Sequence, residues 1–238
     1  MRELREYLAA CERDPACRAV LLTSSAGPFC QGLDYTCLLG LSPDKRRRAA
    51  EELARELKEF VRAVAGFGKP LVAGVTGACV GLGVALLPLC DLVYVSEKAT
   101  LQLPYSRLGT VPEGGATHSL TTLLGHMKAG ALMMTGRAIT GSEALSANLA
   151  TGLLWSATAY EDLIAQARQV LDNAAQIQAL ESTKALIRHS LRAKLEMALH
   201  SECRLLVHQW CAPEFQQRVR DLYDGGQLLL QKPGFDTQ

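Results

Sequence analysis

Two glycine-rich turns carry the chemistry in this chain. One is Gln31-Gly-Leu-Asp34 and the other is Gly81-Leu-Gly83. Each follows a short apolar run of strand character, and the second leads directly into a helix. Glycine lets the backbone come close to a ligand, and the first N–H groups of a helix have no internal acceptor. Two such turns facing one another offer two amide donors to a single oxygen that becomes negative during reaction, which is an oxyanion hole. The competing reading of the same glycines is tight strand–helix packing, and residue types alone leave both open.

Other chemistries find little support. Gly81-Leu-Gly83 invites a dinucleotide-binding reading, but Leu86 stands where the third glycine belongs, and Glu97 and Glu113 are badly placed for a ribose contact. The eight cysteines form no C-x-x-C pair, so zinc and thioredoxin signatures fail. Cys203, His208 and Cys211 share one helical stretch, but their spacing matches no standard zinc pattern; they read as packing residues, and no metal site is expected. Cys30 and Cys79 flank the glycine turns and read as small packing residues. His118 reads as a helix-surface histidine, and His126, His189, His200 and His208 receive no role. No Ser-His-Asp arrangement follows from the spacings.

The elements that position these turns read as an α/β core followed by helices. Leu4–Cys11 has helical periodicity, and Ala19–Thr23 reads as a buried strand before the turn cluster Ser24–Pro28. Ser42-Pro43 supplies an N-cap and an N1 proline for a long amphipathic helix to about Ala65. Its apolar stripe is read as Ala49, Leu53, Leu57, Phe60, Val61 and Val64. The basic run Lys45–Arg48 at its start reads as a solvated helix face rather than an anion patch. Pro70–Val75, Asp91–Val95 and Ala99–Leu103 read as strands, Val84–Cys90 and Ala116–Leu124 as helices. From Ala129 onward the chain reads as almost entirely helical, except near Gly152–Trp155. This implies residues 1–160 as an α/β core and 161–238 as a C-terminal helical region.

Composition bounds the partners. The 238 residues are 48% hydrophobic and 21% charged, with 25 Lys and Arg against 24 Asp and Glu. A net charge of +1 provides no field for nucleic acid or an anionic membrane surface, and 5% aromatics make base-stacking platforms unexpected. No apolar run reaches the roughly 20 residues that cross a bilayer. The first residues do not read as a secretory or mitochondrial leader, and the last four, Phe-Asp-Thr-Gln, are not a peroxisomal address. A reducing intracellular compartment, nucleus or cytosol, is expected, with a small molecule or another protein as partner.

The turns and their surroundings resemble the crotonase superfamily, the enoyl-CoA hydratases and isomerases. The resemblance rests on Gly27–Tyr35, Lys69–Gly83, Cys90–Tyr94, Pro112–Gly115 and Gly136–Ala144 taken together, and covers nearly the whole chain. Two branches are nearest: peroxisomal Δ3,Δ2-enoyl-CoA isomerases and chromodomain-Y-like proteins, with Pro88–Asp91, Ser96–Ala99 and Glu202-Cys203 leaning toward the second. The resemblance implies a β-spiral core wrapped by helices, and homotrimers or hexamers built partly through the C-terminal helices. Members usually begin with a strand pair before the first helix, whereas this sequence starts at that helix. An unpaired sheet edge is therefore expected.

By the same resemblance, acyl-CoA is the ligand and no separate cofactor is used. The Gln31 and Leu82 amides would hold the thioester oxygen, and Gln31, Gly32, Leu33, Asp34 and Leu82 would line the CoA site. At the positions of the two hydratase glutamates this chain has Ala85 and Tyr105, so ordinary hydration is disfavoured. Glu113 matches the catalytic glutamate of the peroxisomal-type isomerases; the alternative is a loop acid or a partner of the helix dipole. Three readings follow. One is an isomerase that moves a 3-enoyl-CoA double bond to the trans-2 position with Glu113 as base. Another is an inactive CoA-binding module of the corepressor type, and the third is a degenerate product that folds poorly. The leaning is toward the enzyme.

Overall fold

A computed structural model describes residues 1–25, 27–155, 158–172 and 177–224. Residue 26 of the Ser24–Pro28 turn and residues 225–238 at the end of the expected helical region lie outside the described residues.

The chain opens with helix α1 (Arg2–Arg13) and strand β1 (Val20–Thr23). The long helix α2 (Pro43–Gly66) follows, then β2 (Leu71–Val75), β3 (Cys79–Val80) and the short α3 (Leu82–Leu86). Next come β4 (Leu92–Ser96), β5 (Thr100–Gln102), α4 (Tyr105–Leu108), α5 (Ala116–Leu124) and α6 (His126–Thr135). The remainder is β6 (Ala138–Thr140), α7 (Gly141–Ser146), β7 (Gly152–Leu154), α8 (Ala159–Asp172), α9 (Ile177–Cys211) and α10 (Pro213–Asp224).

One sheet has the order β1-β2-β4-β7, all parallel, and a second has β3-β5-β6. Every residue of β2 is buried, as expected for a parallel strand covered on both faces, and this is why Leu71–Val75 reads as one apolar run. The chain crosses from the first sheet to the second between β2 and β3, and the two glycine turns meet at that crossing. The expected α/β core wrapped by helices is present.

Three local expectations are corrected. The buried stripe of α2 is Ala50, Ala54, Leu57, Phe60, Val61 and Val64; Ala49 and Leu53 sit half-buried at its margin. Ser42 occupies the N-cap of α2 without a side-chain capping bond, so Pro43 marks the start. The helix expected at Val84–Cys90 begins instead at Leu82 and tightens to a 3-10 turn at Leu87–Leu89, where Pro88 has no N–H to continue an α-helical ladder.

The stretch from Ala129 also contains a strand that periodicity did not show. Gly136, at φ +66°, ends α6 in the left-handed region. Ile139 then pairs antiparallel with Leu101. A capping box between Thr140 and Glu143 starts α7.

Helices α9 and α10 share the main core with α2: Leu195, Leu199, Leu206, Trp210, Phe215 and Val219 are all buried in it. The other end of α9 is tied down by charge. Lys184 Nζ lies 2.7 Å from Asp91 Oδ2 and Arg188 Nη2 lies 2.9 Å from Asp91 Oδ1. Lys184 also donates to the Lys69 carbonyl at 2.6 Å, and the Leu71 amide donates to Asp91 at 2.8 Å. Among the described residues no helix is long and apolar enough to cross a membrane.

Candidate active site

The two glycine turns lie side by side. A parallel bridge joins Cys30 and Cys79, and the Val80 amide donates to the Cys30 carbonyl at 2.8 Å. Gly81 has φ +55° and ψ −116°, a conformation a residue with a side chain rarely adopts. A Cβ at Gly81 would lie 3.7 Å from Gly32 Cα and 3.3 Å from Glu113 Oε1. Turn meets turn at this point, with the Glu113 carboxylate against Gly81.

The two turn amides have no backbone acceptor among the described residues, and the Leu82 N–H lies toward the Glu113 carboxylate. Leu82 is the first residue of α3, so its N–H has no intrahelical acceptor. The Gln31 amide donates to no acceptor among the described residues. Leu82 and Leu33 are buried, Gly32 is half-buried, and Gln31 and Asp34 are exposed. The Asp34 carboxylate is already engaged: it accepts from the Thr36 amide at 2.9 Å, the Thr36 hydroxyl at 2.6 Å and the Tyr223 hydroxyl at 3.1 Å. Those bonds hold its pKa below the ordinary value and pin the turn to α10.

Glu113 is 1% exposed. Its Oε2 accepts from the Tyr35 hydroxyl at 3.2 Å, and its Oε1 is buried without a hydrogen bond among the described residues. Burial pushes its pKa from 4.5 up to about 8. The Glu202 carboxylate adds to the rise, while the Tyr35 hydroxyl and the nearby Leu82 amide oppose it. A carboxylate held this way exchanges a proton near neutral pH, which is where a general base must work.

The turn carrying Glu113 is clamped from two sides. A Cβ at Gly114 would sit 3.0 Å from Leu82 Cδ1 and 3.1 Å from Ala85 Cβ, so α3 presses on one side. On the other, the buried Glu202 of α9 accepts from the Gly115 amide at 2.7 Å, the Thr117 amide at 3.0 Å and the Thr117 hydroxyl at 2.6 Å. Glu202 thus satisfies the open N–H groups that start α5. Behind Glu113, the Tyr35 ring packs on Trp210 at 5.9 Å and edge-on against Phe215 at 5.3 Å. Tyr105 is fully buried nearby, and burial raises its pKa well above 10.

Sequence reasoning missed Tyr35 and Glu202. A signal for Glu202 exists: Leu195, Leu199, Glu202 and Leu206 recur at helical spacing, so an acid sits on an apolar stripe. Tyr35 carries no such mark beyond its place after the first turn. His118 Nδ1 lies 3.4 Å from the Thr122 hydroxyl, one turn along its own helix. Among the described residues no three metal-ligating side chains come together.

The sequence profile described as enoyl-CoA hydratase/isomerase matches residues 1–222. The chain belongs to this family. It is 33% identical over 210 residues to "Chromodomain Y-like protein 2" of Mus musculus, covering 88% of this chain and 41% of that protein. It is 31% identical over 217 residues to "Enoyl-CoA delta isomerase 2" of Homo sapiens, covering 91% of this chain and 54% of that protein. The chain therefore spans about half or less of the length of these curated relatives. Among solved structures, an enoyl-CoA hydratase/isomerase from Pseudoalteromonas atlantica T6c superposes with a TM-score of 0.80 at 26% identity, covering 98% of this chain and 87% of that one. Both branches of the enoyl-CoA hydratase/isomerase family to which the sequence leaned are thus represented among its relatives.

Proposed function

We propose that the protein is an acyl-CoA-binding enoyl-CoA isomerase that moves the double bond of a 3-enoyl-CoA to the trans-2 position. The observation that carries this reading is the buried Glu113 carboxylate set against Gly81, where the two glycine turns meet. The Gln31 and Leu82 amides hold the thioester oxygen. Glu113, ionised, takes a proton from C2; the C2–H electrons pass into a dienolate whose oxygen the two amides stabilise. The protonated Glu113 then returns the same proton at C4, and the double bond is left between C2 and C3. One base does both steps, so no second carboxylate is needed. Hydration by two glutamates lacks support, because Ala85 has no titratable group and Tyr105 is held protonated.

A second reading has its own observation. With its pKa raised to about 8, Glu113 is mostly protonated at neutral pH in the empty site, as suits a protein that holds acyl-CoA without turnover. In that reading the protein is a CoA-binding interaction module of the chromodomain-Y-like type, acting in the nucleus in corepressor complexes. Both readings include assembly into trimers or hexamers, supported by exposed Leu186, Ile187 and Met197 on α9, and sedimentation velocity measures it.

Turnover of 3-hexenoyl-CoA, measured beside Glu113→Gln, separates the two. The isomerase loses about a hundredfold or more in kcat on that change, while CoA still raises the Tm of both proteins. Equal inertness with intact CoA protection removes the base role and leaves the binding module. Absence of CoA protection removes both.

A further inference from the structure

The basic run at the start of α2 does not lie wholly on a solvated face. Arg46 and Arg47 of α2 and Arg204, His208 and Cys211 of α9 line a cleft of about 760 Å³. Arg46 is held in place: its Nη2 donates to the Leu41 carbonyl at 2.8 Å. Its Nε is buried and has no hydrogen-bond partner among the described residues. A guanidinium N–H without an acceptor is unfavourable, and the Arg46 side chain lines the cleft, where an anion forms charge-assisted bonds to guanidinium donors.

The remaining charges favour an anion. Arg204 and His208 are exposed and form no ion pair among the described residues. Two acids, Asp44 and Glu51, also line the cleft. Glu51 is paired with Arg47 at 3.2 Å, which leaves Asp44 against Arg46 and Arg204. Trp210 and Tyr35 lie between the cleft wall and Glu113. Val207 and Cys211 on that wall flank Trp210, whose ring packs on Tyr35.

We propose that this cleft is a binding site for a carboxylate or phosphate group, gripped by Arg46 from α2 and Arg204 from α9. Planar guanidinium donors from two helices match the oxygens of either group. Two sources supply the chemistry: a free anion, or the charged end of an acyl chain. The second source rests on the acyl-CoA reading of the Glu113 site; the first does not.

Isothermal titration of the full chain tests the proposal with inorganic phosphate, succinyl-CoA and butyryl-CoA. The wild type is expected to bind phosphate in the millimolar range, or to bind succinyl-CoA more tightly than butyryl-CoA. Arg204→Glu and Arg204→Gln weaken that binding by about tenfold or more and leave butyryl-CoA unchanged. Arg204 is exposed, so both variants keep the wild-type thermal melt. A loss confined to succinyl-CoA identifies the acyl terminus as the source; a loss with phosphate identifies the free anion. The proposal is overturned if the wild type shows neither preference, or if both variants bind phosphate and succinyl-CoA as the wild type does. Failure of the acyl-CoA reading shows separately, as absent butyryl-CoA binding.

Discussion

The Tyr35 hydroxyl donates to Glu113 Oε2 at 3.2 Å across 78 positions of sequence. The bond steadies the ionised carboxylate inside a site whose burial works against it. The aromatic pair Trp210 and Phe215 holds the Tyr35 ring from behind, so the end of α9 and the start of α10 set the position of the Tyr35 hydroxyl against Glu113.

Removing that hydroxyl makes Glu113 harder to ionise. In Tyr35→Phe the inflection of kcat/KM against pH moves upward from the wild-type position near 8. Activity at pH 7 falls by roughly ten- to hundredfold, the worth of one hydrogen bond to a charged group. A pH–rate profile of the isomerisation measures it; an unmoved inflection would show that Tyr35 only packs.

Glu113 also makes stability depend on pH. Its folded pKa of about 8 lies above the ordinary 4.5. Below 4.5 both states are protonated and nothing is lost. Between those values the unfolded chain releases the proton while the folded protein keeps it, so stability falls as pH rises, and the loss is complete above about 8. Glu113→Gln removes this loss. Its Tm is expected to match the wild type near pH 4 and to exceed it increasingly up to pH 9, by a free energy of a few kcal/mol. Thermal melts across that range decide it.

Glu202 is expected to matter twice. Glu202→Ala leaves the Gly115 and Thr117 donors without their acceptor and costs about 3 kcal/mol or more in urea unfolding; Glu202→Gln costs about 1–2 kcal/mol because one acceptor oxygen remains. Loss of the neighbouring negative charge also eases ionisation of Glu113. The activity inflection of Glu202→Gln therefore moves to lower pH, opposite to Tyr35→Phe.

The tie at the start of α9 is expected to be asymmetric. The Lys184 side chain is 7% exposed, and burial lowers its pKa while Asp91 opposes the change. Asp91→Ala strands that ammonium and removes the acceptor of the Leu71 amide, costing about 3–5 kcal/mol. Adding Lys184→Met to Asp91→Ala recovers part of the loss, because no buried charge is then left unpaired. Denaturant midpoints of the single and double variants check it.

Much of the frame is local and was readable. Leu71–Val75 is a buried strand because a parallel strand covered on both faces needs an unbroken apolar run. Pro43 starts α2 because its missing N–H and fixed φ suit only the first turn. Ala116–Leu124 is bounded by glycines on both sides. What was not readable lies in short elements whose partners are distant. Strand β6 has three residues and no periodicity, and exists because Leu101 is there to pair with Ile139. Leu82–Leu86 is helical although it holds a glycine and a valine, because the turns on either side leave no other path.

The candidate site divides along the same line. Residue types and order marked both glycine turns, since a positive φ and a close approach demand glycine wherever they occur, and the family resemblance singled out Glu113. They could not tell whether Glu113 was an exposed loop acid or a buried carboxyl group. Only the tertiary structure decided that, because a carboxyl group's affinity for its proton depends on the water removed from around it and on charges brought near by the fold. Tyr35, Glu202 and the Leu82 amide supply those neighbours from three distant parts of the chain.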